Sequence, residues 1–144
     1  MLRRFFPILS AVCAFGADVT TFHNDNARTG QNLNETTLTT SNVNFNSFGK
    51  LFLINVDGKV DAQPLYLSGV SFPNQGTHNA LYVATEHGTV YAFDADNGAL
   101  LWSVSTLAVG ETSSDSRGCG QVSPEIGVTS TPVISRTNGP NGTI

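Results

Sequence analysis

Residues 81–102 read LYVATEHGTVYAFDADNGALLW, and their alternation of apolar and polar positions decides the fold class. ALYVAT (80–85) has the period-two pattern and β-branched and aromatic content of a strand, EHGT makes a tight turn around Gly88, and VYAFD (90–94) returns. After ADNG a third strand runs ALLWSV (99–104), with Leu100, Trp102 and Val104 expected on one face and Leu101 and Ser103 on the other. Together these segments predict an antiparallel meander.

Working outward, AQPLYL (62–67) predicts a strand before the meander, one that Pro64 confines to an edge or to its first residues. Residues 62–104 then form a four-stranded unit. FGKLFLINV (48–56) predicts a further strand, bounded by Gly49 and by Asp57-Gly58. Parts of the unit recur. GKLFLINV matches GALLWSV, with Gly49 and Gly98 in register, and QPLY matches TPVI, with Pro64 and Pro132 in register. The extra residues of the second interval fall in TLAVGETSSDSRGCGQVSP, an insertion loop over about 105–123. Repeats of this length built of four strands indicate propeller blades, each of which buries its faces only against neighbours. The expected fold is all-β: a partial β-propeller of four-stranded antiparallel blades, about one complete blade and the start of a second. On this reading further blades lie downstream, and the sequence is an N-terminal fragment.

Ahead of the blade, residues 18–47 are rich in Asn and Thr, and only Val19, Phe22, Leu33, Leu38, Val43 and Phe45 could anchor them. They predict an extended arm with apolar pegs, leading into the incomplete propeller at 48–144. The first 17 residues, MLRRFFPILSAVCAFGA, place two arginines before a short apolar run and small residues, the order of a secretory signal peptide cleaved near Gly16 or Ala17. The protein is therefore expected to be exported, periplasmic or secreted. The apolar run is shorter than the roughly 20 residues of a membrane span.

Only 12% of the 144 residues are charged, against about 25% in an ordinary soluble domain. Without the leader, five Lys and Arg face eleven Asp and Glu, so there is no basic footprint for nucleic acid. Cys119 is then the one remaining cysteine, either free or paired with a residue downstream.

Within the meander, each residue of the β-turn motif has a local task. Asp94 accepts backbone N–H groups two or three residues on, Asn97 and Gly98 tolerate the positive φ that closes the turn, Ala92 leaves room, and Trp102 offers a large apolar face. Asp94, Asp96 and Gly98 have a superficial likeness to a calcium loop, but the later ligands and the closing Glu are absent. His23, His78 and His87 are scattered and read as turn or surface histidines. GCGQVSPEIGVTSTP (118–132), with Cys119 and Glu125, is the loop that merits attention, although no acid/base partner for Glu125 is evident in the sequence.

The stretch LYVATEHGTVYAFDADNGALLW resembles the repeat of pyrroloquinoline quinone (PQQ)-like β-propellers, with Ala92, Asp94, Asn97-Gly98 and Trp102 at the motif positions and Asn97 in place of the family's Thr. FHNDNARTGQN (22–32) resembles the lead-in to the first blade of many such proteins. The resemblance implies that Trp102 docks between blades. It also covers both quinoprotein dehydrogenases and propellers without a cofactor. The alcohol dehydrogenases among them carry adjacent cysteines, whereas Cys119 is flanked by Gly118 and Gly120. The expectation is a non-enzymatic scaffold or binding surface for a protein or carbohydrate, with no cofactor or metal bound in this segment and its catalytic residues unassigned. The alternative is the N-terminal part of a dehydrogenase that uses PQQ and calcium.

Overall fold

In the computed structural model, residues 16–137 and 143–144 are described; the leader, save Gly16 and Ala17, lies outside them. The chain is all-β. Four strands, β1 (Leu65–Phe72), β2 (Gly76–Ala84), β3 (Thr89–Asp94) and β4 (Leu100–Ser105), form one antiparallel sheet in sequential order. Two short strands, β5 (Ser114–Asp115) and β6 (Glu125–Ile126), pair separately. The open four-stranded meander is consistent with one blade of a propeller.

Pairing across the sheet sets which side chains share a face. Leu65 lies opposite Tyr82, Tyr82 opposite Ala92, and Ala92 opposite Trp102. A bulge in β1 between Leu67 and Val70 then brings Val70 and Phe72 onto the same face. This face carries the core, in which Leu65, Leu67, Ala80 and Ala92 are almost fully buried beneath Ile134. Nearer the β2–β3 turn, Ala62, Ala84 and Val90 continue it, with Val128 packed alongside. Each fully buried Leu contributes roughly 1.5–3 kcal/mol, so β1 to β3 are the well-anchored strands. β4 is an edge, with Leu100 and Val104 each 54% exposed.

A second bulge, between Ala92 and Phe93, corrects the expected facing of β4. Phe93 pairs with Leu100 while Ala92 pairs with Trp102, so Leu101 is the extra residue and Leu100 falls on the face opposite Trp102. Trp102 is half-buried, tilted against Tyr82 with ring centroids 6.1 Å apart, and lines a cavity with Leu67, Val70, Phe72 and Ile134. Because part of its ring stays exposed, Trp102→Ala is expected to cost about 2 kcal/mol, below the 3–5 kcal/mol of a fully buried aromatic. Chemical denaturation of the two proteins measures the difference.

Three further expectations are corrected. Residues 48–56 form no strand: they are extended, with exposure alternating from Leu51 to Val56, but they join no ladder. Their apolar alternation serves packing on one side only. Phe52 and Ile54 cover Gly98, which has a φ of +78° and where an added Cβ would lie 3.0 Å from the Phe52 ring, while Leu51 and Leu53 face outward. The arm also lacks its pegs. Phe22, Leu33, Leu38, Val43 and Phe45 are all exposed, and Val19 alone packs on the core, bridged to Tyr66 of β1. The arm holds its turns with side-chain amides and hydroxyls instead, as where Asp25 accepts from the Thr29 backbone and hydroxyl. TPVI (131–134), the segment matched to QPLY, likewise forms no strand; Ile134 N–H bonds to the Thr20 carbonyl of the arm.

Candidate functional site

The β3–β4 turn uses Asp94 as its hub. Oδ1 of this buried carboxylate accepts the Asp96 N–H at 2.8 Å, Oδ2 accepts the Asn97 amide at 3.1 Å, and the Asp94 carbonyl accepts the Gly98 N–H at 2.8 Å. Ala92 is fully buried between Tyr82 and Trp102. The sequence reading missed one partner. His78, on β2, places Nδ1 2.8 Å from Asp94 Oδ2 and Nε2 2.9 Å from the Gln75 carbonyl. Both ring nitrogens face acceptors, so only the imidazolium satisfies both.

These contacts shift both groups. The Gln75 carbonyl, and then Asp94, push His78 above its ordinary value. The Asp96 N–H, partly opposed by burial and then aided by His78 and Asn97, holds Asp94 below the usual carboxylate range. The stability due to Asp94 is complete above its unfolded pKa of about 3.9 and is lost as pH falls through the lowered folded value. That due to His78 is complete below about pH 6.5 and is lost as pH rises through the raised folded value. The pair therefore stabilises the fold most between about pH 4 and 6.5. Melting temperature against pH should show both limbs in the parent protein and a flattened profile in Asp94→Asn.

At the opposite end of β3, three segments distant in sequence meet around the β2–β3 turn. From the extended segment, Asp57 accepts the hydroxyls of Thr85, at 2.8 Å, and Thr89. Burial raises the Asp57 pKa, but these bonds, the Tyr91 hydroxyl and the charge of His87 outweigh it and leave the carboxyl below its ordinary value. Gly58 passes against His87, and the Lys59 carbonyl accepts the Glu86 N–H at 2.9 Å. From the far loop, Glu125 of β6 accepts from His87 Nδ1 at 3.0 Å and from the Ser113 hydroxyl. The Ser113 bond, followed by His87, holds Glu125 below the usual range. His87 is exposed, as expected of a turn histidine, yet it is the partner of Glu125 that the sequence did not reveal.

Glu86 is the least ordinary member of this cluster. It is fully buried, and its Oε2 accepts the Gly127 N–H at 2.7 Å and the Thr129 hydroxyl at 3.0 Å. Its Oε1 is buried without a hydrogen-bond partner. The Val128 N–H reaches the Thr85 carbonyl at 3.1 Å, so residues 127–129 are bound to the turn by three hydrogen bonds. No periodicity marks this contact. It spans some forty residues between a hairpin tip and a loop, beyond what local patterning encodes.

Cys119 is an exposed free thiol one residue before the short 3-10 turn Gly120–Val122. Lys59 ties that turn to the body through the Gln121 carbonyl. Among the described residues no three His, Cys, Asp or Glu side chains converge as metal ligands, and no helix is long and apolar enough to cross a membrane. No protein-family model matches the chain. Neither a curated protein nor a solved structure matches it significantly. The site must therefore be read from its own geometry.

That geometry is structural. The carboxylates of Asp57, Asp94 and Glu125 each accept at least two hydrogen bonds from the chain's own donors, and those of Glu86 are sealed from solvent. Such bonds fix the loops at the two ends of β3.

Proposed function

We propose that this chain is an exported, PQQ-like β-propeller blade that serves as a non-enzymatic scaffold, offering a binding surface to a protein or carbohydrate. The observation that carries the reading is the commitment of the carboxylates to internal hydrogen bonds. The carboxylates of Asp57, Glu86, Asp94 and Glu125 pin the loops at the two ends of β3 rather than standing free as general acids or bases. A rigid sheet with loops fixed at its ends is an arrangement on which binding residues are commonly displayed.

The outward Leu51 and Leu53, and the exposed Leu100, Val104 and Val133, support the propeller part of the proposal. Leu100 and Val104 lie on opposite faces of the edge strand, and exposed apolar side chains on both faces of a blade are of the kind that neighbouring blades cover. Export rests on the leader pattern in residues 1–17.

The test is titration of the purified full-length protein with PQQ and calcium, followed by dye reduction with alcohols and sugars as donors. A scaffold takes up no quinone and reduces no dye. Stoichiometric uptake with donor-dependent reduction would establish the dehydrogenase reading in its place.

A further inference from the structure

The arm, the chain just before β1 and the segment after β6 border an open groove of about 390 Å³, lined by Phe22, Arg28, Asp61, Thr129, Ser130 and Thr131. We infer that this groove binds a uronic acid unit of an acidic polysaccharide. The inference rests on the scaffold reading and gives its ligand a chemical class.

Arg28 is the anchor. Its Nη1 donates to the buried Thr21 hydroxyl and to the Phe22 carbonyl, each at 3.1 Å, which fixes the guanidinium 5.9 Å from the centre of the Phe22 ring. Arg117 and Arg136 are ion-paired with Asp115 and Asp18, but among the described residues Arg28 has no carboxylate partner. Its Nε and Nη2 donors have none either, and their fork matches the two oxygens of a carboxylate. In a chain with more acids than bases, an arginine fixed at its Nη1 and left unpaired is set up for an anion from outside.

The rest of the groove suits a sugar ring. Phe22, steadied by stacking on His23 at 3.9 Å and 42% exposed, gives an apolar edge for ring C–H groups. Asp61 spends Oδ2 on Lys59 at 2.9 Å, which leaves Oδ1 to accept a sugar hydroxyl. Thr131 Oγ1 accepts the Gln63 N–H at 2.9 Å, so its own hydrogen remains to be donated. The walls are tied to each other and to the core: the Gln63 side chain accepts the His23 N–H at 3.1 Å, and Glu86 holds Thr129. An apolar edge, one unpaired guanidinium and several hydroxyl-sized partners are a combination that reads both the ring and the acid group of a uronate.

The experiment is calorimetric titration of the full chain with a galacturonic acid trimer and, in parallel, with the neutral galactose trimer. The acidic trimer should bind at least tenfold more tightly, and its affinity should fall as salt is raised. Arg28→Gln should abolish that preference. Because Arg28 also steadies the arm, Ser130→Asp provides a second variant at an exposed position that sets a negative charge against the uronate. It should weaken the acidic trimer at least tenfold with an unchanged melting temperature. Absence of binding, equal affinity for the two trimers, or indifference to Ser130→Asp would each overturn the inference. Preferential binding by a protein that also takes up quinone would unseat the scaffold reading and leave the groove assignment standing.

Discussion

Replacing Gly127 by Ala should destabilise the protein by about 4 kcal/mol or more, a size reached only by a few mechanisms. A Cβ at this position would lie 2.2 Å from the Glu86 carbonyl oxygen, 2.6 Å from its carbon and 2.7 Å from the Gly88 nitrogen. All three are backbone atoms of a hydrogen-bonded turn, so no side-chain rotation relieves the clash. Residues 125–129 would have to withdraw. They would take with them the Gly127 and Thr129 bonds to Glu86 and the Val128 bond to Thr85, and leave a buried carboxylate without donors. Urea denaturation gives the value. Gly120→Ala, where nothing lies within 4 Å of the added carbon, should change stability by less than about 0.5 kcal/mol and is the control. A loss below 1 kcal/mol in Gly127→Ala would mean that the loop is not seated on the turn.

Truncation of the carboxylate tests the same contact from the other side. Glu86→Ala should cost about 3 kcal/mol, because it deletes two hydrogen bonds, strands the Gly127 N–H and the Thr129 hydroxyl, and opens a void at a fully buried position. Glu86→Gln keeps the shape and an acceptor oxygen for both donors, and should cost about 1 kcal/mol. Stability of the three proteins should therefore rank Glu, Gln, Ala. If Gln were as damaging as Ala, the negative charge rather than the acceptor geometry would be what holds the loop.

The sheet was legible because its signals are local. Alternation in 80–85, 90–94 and 99–104 and the turn residues Gly88, Asp94 and Gly98 fixed three strands and two turns, and Pro64 placed β1 at an edge. The bulge at Leu101 was not legible: one inserted residue in an apolar run reverses the faces without altering the composition. Residues 48–56 were misread as a strand because period-two patterning reports an extended chain with one covered side, and a ladder partner is a separate requirement. The pairing of His87 with Glu125 and the burial of Glu86 could not be read at all. Both depend on a loop that returns across 38 and 41 residues, and a glutamate in a hairpin turn looks like a solvent-facing charge.

Asp57 binds one side of the β2–β3 turn through Thr85 and the other through Thr89. Residues 57–59 and 127–129 are thus each bonded to residues 85–89, and the turn cannot open without freeing both. In kinetic terms they form one cooperative unit. The hairpin itself needs only neighbours in sequence, but this unit closes loops of about 30 and 40 residues at once, so it should be assembled after the meander and released before it.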